Sequence, residues 1–262
     1  MEHIEHVVRH PAQRTHQTPI LLQHGAWHGA WCWVHWLDYL PALGYETHAI
    51  SLPGHGHSTR QKHINLYTLG EYVRTLAREV EAISPRPVVV GHSMGGGIVQ
   101  KYLEDHCLPG AVLLAPLPAS GMLGMMARFM RRHPAAMLKG ALTLDSYRWV
   151  GTPELARELF FGPETTVDAP RFHEQLVHES TTAGLQLALP FAGLNDIPSP
   201  VLVLAGERDA VFTLAEEKKT AAKYHAKFVT FKGQGHDLML EPAWQQVADT
   251  VDRWIVDELK LP

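Results

Sequence analysis

Three residue types in this chain are spaced as a nucleophilic relay requires. Ser93 stands in Gly91-His92-Ser93-Met94-Gly95, a G-x-S-x-G run entered from the apolar stretch Pro87-Val88-Val89-Val90 and followed by a helix candidate, Gly97–His106. A sharp strand-to-helix turn would lift the Ser93 hydroxyl clear of a sheet, and side chains at positions 91 and 95 would crowd that turn. A serine hydroxyl is a weak nucleophile at its own pKa, so a base and an acid to orient that base are needed. His236 lies in Gly233-Gln234-Gly235-His236-Asp237, directly after the last strand candidate. Asp209 lies in Gly206-Glu207-Arg208-Asp209, directly after the strand candidate before it. Taken singly, an Asp or His in a loop is usually a surface polar group. Here both sit at the C-terminal ends of strand candidates, where an open α/β sheet gathers its active site, and they follow Ser93 in the order acid then base. Glu207 and Asp237 are competing acids, of which Asp209 fits the loop position better. His92 adjoins the nucleophile in sequence and reads as a packing or hydrogen-bonding residue of the turn rather than its base.

Acyl transfer also needs donors aimed at the developing oxyanion, each worth about 2.7–4 kcal/mol of barrier. His24-Gly25-Ala26-Trp27 follows the strand candidate Ile20–Gln23. The backbone N–H groups of Ala26 and Met94 are the expected pair. No HExxH helix and no Cys/His ligand cluster appears among the 18 histidines, so neither a metal nor another cofactor is expected, and most histidines should lie on the surface or in loops.

The elements that must position these residues alternate short aliphatic runs with longer helical ones, the pattern of a mainly parallel sheet covered by helices. Buried strands are expected at Ile20–Gln23, Glu46–Ser51, Pro87–Gly91, Ala111–Ala115, Pro200–Ala205 and Ala226–Phe231, with Ile4–Arg9 as an antiparallel edge. In Leu66–Ile83 the apolar residues Leu69, Tyr72, Val73, Leu76, Val80 and Ile83 recur at helical spacing, and Thr68 with Glu71 fits a capping box. Trp244, Val247, Val251, Trp254 and Ile255 form a similar stripe, read as core packing. From Pro116 to Pro198 no strand signal appears. That stretch reads as short helices, its first half rich in methionine: Met122, Met125, Met126, Met130 and Met137. One crossover needs far fewer residues, so a helical cap inserted at 116–198 is expected over a body made of 1–115 and 199–262.

The 262 residues suit one large domain with an insertion, and 45% hydrophobic with 19% charged residues allows a sizeable core. A net charge of −4 argues against a nucleic-acid partner. No run approaches the roughly 18 apolar residues of a membrane span, and Met1 to Arg14 carries no apolar segment of a secretory signal. A cytoplasmic location is expected. Cys32 and Cys107 cannot form a disulfide framework and are expected to be buried or inert.

Together, His24-Gly25, Leu52-Pro53-Gly54-His55-Gly56-His57-Ser58, Gly91-His92-Ser93-Met94-Gly95-Gly96, Asp209 and Gly235-His236 resemble the serine α/β-hydrolase superfamily over nearly the whole chain. The resemblance implies an α/β-hydrolase fold, and a cap between the sixth and seventh strands of that fold, where 116–198 would lie. Ser51 departs from the acid that many members carry before Leu-Pro-Gly. The run His24-Gly-Ala-Trp-His-Gly-Ala-Trp31-Cys-Trp33 looks like plant methylesterases and hydroxynitrile lyases. Those lyases have a lysine beside the catalytic histidine, whereas Asp237 stands here, which disfavours cyanohydrin cleavage. The pairing with Gly-His-Ser-Met-Gly-Gly is also similar to monoacylglycerol lipases and lysophospholipases. The missing His-Gly-Gly-Gly disfavours the hormone-sensitive-lipase type, and serine at 93 disfavours dehalogenases and epoxide hydrolases. The expectation is a carboxylic ester hydrolase acting on a small-molecule ester, with an apolar acyl group or a small aromatic ester favoured. Trp27, Met122, Met125 and Met126 are expected in its pocket, with Trp31 and Trp33 as further candidates at the mouth. Lactone hydrolysis, C–C bond hydrolysis of a diketone and perhydrolysis could use the same triad, and a ligand receptor could keep the fold without turnover.

Overall fold

Each apolar run named above forms a strand in the computed structural model, which describes residues 3–191 and 197–261. The seven strands are β1 His6–Arg9, β2 Ile20–Gln23, β3 Thr47–Ile50, β4 Val88–His92, β5 Ala111–Leu114, β6 Val201–Gly206 and β7 Lys227–Phe231. They make one sheet in the order β1-β3-β2-β4-β5-β6-β7. Only β1 is antiparallel, pairing His6 with Ile50 on β3. The other pairings are parallel, as in Gln23 with Gly91 and Gly91 with Leu113. Parallel strands end on the same edge, so the loops after β2, β4, β6 and β7 all open there.

Every residue of β2, β4, β5 and β6 is buried, which requires cover on both faces. On one face Leu21, Val89, Leu113 and Val203 pack with apolar residues of α2 (Leu69–Ala82), α3 (Met94–Tyr102) and α9 (Leu214–Lys223). On the other Ile20, Leu22, Val88 and Val90 pack with Trp36 and Leu40 of α1 (Val34–Ala42) and with Val247 and Val251 of α10 (Trp244–Arg253). The stripe read at the C-terminus is thus core packing, and Trp254 and Ile255 continue it in a π-helical turn, Trp254–Leu259. Helix α2 starts with the full reciprocal capping box of Thr68 and Glu71.

One element starts earlier than the sequence suggests. Helix α3 begins at Met94 rather than Gly97, because the glycines at 95 and 96 are demanded by close packing rather than by a loop. A Cβ at Gly95 would collide with the His24 carbonyl oxygen, and one at Gly96 would lie 2.6 Å from Pro116 Cβ. Between β5 and β6 the described residues hold only helices: α4 Leu123–Arg132, α5 Pro134–Thr143, α6 Pro153–Phe160, α7 Ala169–His173 and α8 Thr181–Gln186, plus the single turn Ser146–Trp149. Cys32 is buried and Cys107 exposed, and both are free thiols. No described helix is long and apolar enough to cross a membrane.

Candidate active site

The turn after β4 puts Ser93 at φ 52° and ψ −119°, a conformation that few non-glycine residues adopt. Neighbours hold it there. Ser93 N–H donates to Leu114 O at 3.1 Å, while Ser93 O accepts from Leu117 N–H at 2.8 Å. His236 reaches this hydroxyl from the loop after β7, with Nε2 2.8 Å from Ser93 Oγ. On its far side His236 Nδ1 lies 2.7 Å from Asp209 Oδ2. The other Asp209 oxygen accepts from the N–H groups of Val211 (2.7 Å) and Phe212 (2.9 Å), which fixes the carboxylate plane. A carboxylate only accepts, so Nδ1–H donates to Asp209 and Nε2 is left to accept from the Ser93 hydroxyl. Burial works against a charged His236, but the Asp209 carboxylate, its hydrogen bond and Asp237 outweigh burial and hold the imidazole pKa above its ordinary value.

The loop after β2 closes on the same point. A Cβ at Gly25 would sit 2.8 Å from Ser93 Cβ and 2.9 Å from His92 Nδ1, so only glycine permits this approach. Among the described residues no group engages the N–H of Ala26 or of Met94, and both residues line one cavity with Ser93. The turn depends on Trp27, which sits at φ 64°. Its carbonyl accepts from Val177 N–H at 2.9 Å and its indole N–H donates to Ser146 Oγ at 3.3 Å.

The competing acids have other partners. Glu207 Oε2 accepts from Gly233 N–H at 3.1 Å, and Asp237 is fully buried with Oδ2 3.0 Å from His28 Nε2. His92 is buried behind the turn, its Nε2 donating to the His236 carbonyl at 3.2 Å. Burial, then the neighbouring His236 and His28, push its pKa well below the ordinary value, so it stays neutral. His92, His236 and Asp237 bring one donor atom each within 4.8 Å of one another. Both His236 nitrogens and His92 Nε2 are already hydrogen-bonded in the arrangement above.

A cavity of about 260 Å³ opens beside Ser93. Trp27, Met122, Met125 and Met126 line it, together with Met137, Leu144 and Trp149. Met130 lies outside it and is 38% exposed. Trp31 and Trp33 are not at the mouth either: Trp33 is fully buried in the core under α1. No local pattern points to the polar residues that join the lining, Ser146, Glu179, Ser180 and Thr181. The histidine-rich composition also hides more than surface. Six of the 18 are buried: His24, His28, His48, His55, His92 and His236.

A model of the alpha/beta hydrolase family matches residues 20–250. The chain belongs to that family. "Probable esterase PIR7A" of Oryza sativa subsp. indica is 31% identical to this alpha/beta hydrolase over 189 residues, 68% of each chain. "Monoacylglycerol lipase" of Mycolicibacterium smegmatis is 28% identical and spans 92% of this chain and 88% of its own. Among solved structures, the esterase EaEST from Exiguobacterium antarcticum superposes with a TM-score of 0.75 over 97% of this chain and 96% of its own; at 18% identity this speaks for the fold. The acid missing at position 51 of this alpha/beta hydrolase comes from elsewhere. The Ser51 hydroxyl donates to Glu5 Oε2 at 2.5 Å, and that oxygen also accepts from His57 N–H at 2.9 Å.

Proposed function

We propose that this alpha/beta hydrolase cleaves carboxylic esters through an acyl-enzyme on Ser93. The observation that carries the reading is the unbroken hydrogen-bond chain Asp209–His236–Ser93, ending in a cavity that Ala26 and Met94, with unengaged N–H groups, also line. Ser93 Oγ attacks the acyl carbon as His236 Nε2 takes its proton. Asp209 holds the Nδ1–H tautomer and balances the imidazolium that forms. The N–H groups of Ala26 and Met94 receive the oxyanion. His236 then returns the proton to the leaving alkoxide, and a water activated by the same nitrogen releases the acid. The names of the esterase and lipase relatives support ester chemistry.

Residues 116–198 act as the cap in this reading, since the described part of that segment supplies most of the cavity wall. A methionine-lined space beside Ser93 suits an apolar acyl group of short to medium length or a small aromatic ester, because thioether side chains adapt to irregular apolar shapes. The test is a hydrolysis profile on p-nitrophenyl esters from acetate to palmitate, with Ser93→Ala alongside. Turnover that peaks at one chain length and vanishes in the variant supports the reading. No release above the variant at any length overturns it and turns attention to lactones, diketones and ligands held without turnover.

A further inference from the structure

The hydrogen bonds of His28 cannot be satisfied by a neutral imidazole facing an ionised acid. Its Nδ1 lies 2.6 Å from the Ala26 carbonyl oxygen and its Nε2 lies 3.0 Å from Asp237 Oδ2. A carbonyl only accepts, so Nδ1 must donate. An ionised carboxylate only accepts as well, so Nε2 either donates to it or accepts from a protonated Asp237. Either way His28 and Asp237 together hold one more proton than imidazole plus carboxylate, and the pair is neutral overall. His28 is 1% and Asp237 0% exposed, a setting in which an unbalanced charge would be costly. Rings of Trp31, Phe160 and Phe172 enclose His28 with centroids 5.1–5.6 Å away.

The two ends of this pair touch the two loops on which ester cleavage depends. Asp237 directly follows His236. In the esterase reading Ala26 supplies an N–H to the oxyanion, and its carbonyl begins the peptide that enters the positive-φ turn at Trp27. We propose that His28 and Asp237 form a positioning dyad which, by donating a hydrogen bond to the Ala26 carbonyl, fixes the oxyanion loop relative to the His236 loop. This rests on the esterase reading for its consequence, because only an oxyanion-forming reaction feels the placement of Ala26 N–H. Neither residue touches the reacting atoms. A third neighbour, His92, lies 3.5 Å from the remaining Asp237 oxygen and donates to the His236 carbonyl, so the same buried cluster braces the His236 loop from behind.

The experiment compares wild type with His28→Phe, Asp237→Ala, Asp237→Asn and the double variant His28→Phe/Asp237→Ala. It reads kcat and KM on a p-nitrophenyl ester, affinity for an alkyl boronic acid, and the rate of Ser93 phosphonylation by a fluorophosphonate. In His28→Phe the dyad predicts a 10- to 100-fold fall in kcat with KM within about threefold, and boronate affinity weakened by a similar factor. Asp237→Ala falls by a comparable amount, and the double variant falls no further than the worse single one. Asp237→Asn recovers at least fivefold over Asp237→Ala, since an amide N–H can donate to Nε2 and leave Nδ1–H on Ala26. A purely structural role would lower the melting temperature and spare kcat and phosphonylation; that result, or losses that multiply in the double variant, overturns the dyad. Asp237→Ala carries the test should His28→Phe fail to fold. Absence of ester turnover in wild type overturns the esterase reading alone, because the phosphonylation ratios still judge the dyad.

Discussion

Gly25→Ala is the sharpest probe of the site's geometry. The added methyl would lie 2.8 Å from Ser93 Cβ, 2.9 Å from His92 Nδ1 and 3.2 Å from His92 O. Non-bonded carbon atoms rest at about 3.5–4.0 Å, so the loop must retreat by roughly 0.7 Å or more. Ser93 cannot give way easily, since Leu114 O and Leu117 N–H hold it on either side. An oxyanion donor works at about 2.7–3.1 Å, and a retreat of that size carries Ala26 N–H out of the range. Loss of one donor costs about 2.7–4 kcal/mol, which predicts a 10²- to 10³-fold fall in kcat. Overpacking should cost a further 1–3 kcal/mol of stability, about 2–4 °C in melting temperature for each kcal/mol. The assay is kcat and KM on p-nitrophenyl butyrate beside a thermal melt. Gly70→Ala is the control: it lies on α2, where the nearest atom to an added Cβ is 3.4 Å away, and it should leave kcat alone. A Gly25→Ala protein with kcat within threefold of wild type and an unchanged melting temperature would refute the placement of the oxyanion loop.

Three further outcomes can be checked. The raised pKa of His236 and its need to be neutral as a base predict that kcat/KM rises with pH through a limb centred above 6.5; a limb centred below that value contradicts the assignment. Glu217 is fully buried, and burial, then the nearby Asp209 and Glu216, push its pKa well above 4.5. The folded state therefore keeps a proton that the unfolded chain releases, and stability falls as pH rises from about 4.5 by up to about 1.4 kcal/mol per unit. Glu217→Gln should remove that slope, so its advantage in urea unfolding grows between pH 5 and pH 7; parallel curves would count against a protonated Glu217. Met126 lines the cavity and is partly buried, so Met126→Trp should move the ester chain-length optimum to shorter acyl groups, and an unmoved optimum would place the acyl chain elsewhere.

Local patterns in the sequence carry most of the fold because the central strands are short aliphatic runs bounded by turn residues, and α2 and α10 each have one apolar stripe. Strand β7, expected to be buried, is an edge strand of which only Phe231 is buried, since among the described residues no further strand covers its outer side. Relations between distant segments were much less legible. Local propensity puts the start of α3 too late because glycine lowers helix propensity, while the need for glycine at 95 and 96 comes from His24 O and Pro116, far away in sequence. The pairing of His28 with Asp237 joins residues 209 apart, and nothing local announces it. Asp209, by contrast, could be singled out from Glu207 and Asp237 by its place after β6, and the structure brings that residue, not its neighbours, to His236 Nδ1. The methionines read as a group divide by position along α4 rather than by helical phase, since Met126 and Met130 are one turn apart on the same side. Met122, Met125 and Met126 line the cavity, whereas Met130, one turn beyond Met126, lies past its end and is partly exposed.

The contacts of the segment between β5 and β6 bear on how such an enzyme could acquire new substrates. That segment supplies much of the cavity wall, yet Ser93, Asp209 and His236 all lie outside it, so under the proposed mechanism exchanging it for another should alter preference while sparing the triad. The exchange has a seam, however. The Phe160 carbonyl accepts from the N–H groups of both His236 and Asp237, each at 2.9 Å, and Gly162 N–H donates to Glu241. Val177 N–H also holds the Trp27 carbonyl. Residues 160–162 and Val177 are thus tied to the loops that carry His236 and Trp27 although they lie between β5 and β6. A recombined chain that keeps these joints would inherit working machinery under a new roof, whereas one that cuts through them would lose the anchor of the His236 loop along with the old specificity.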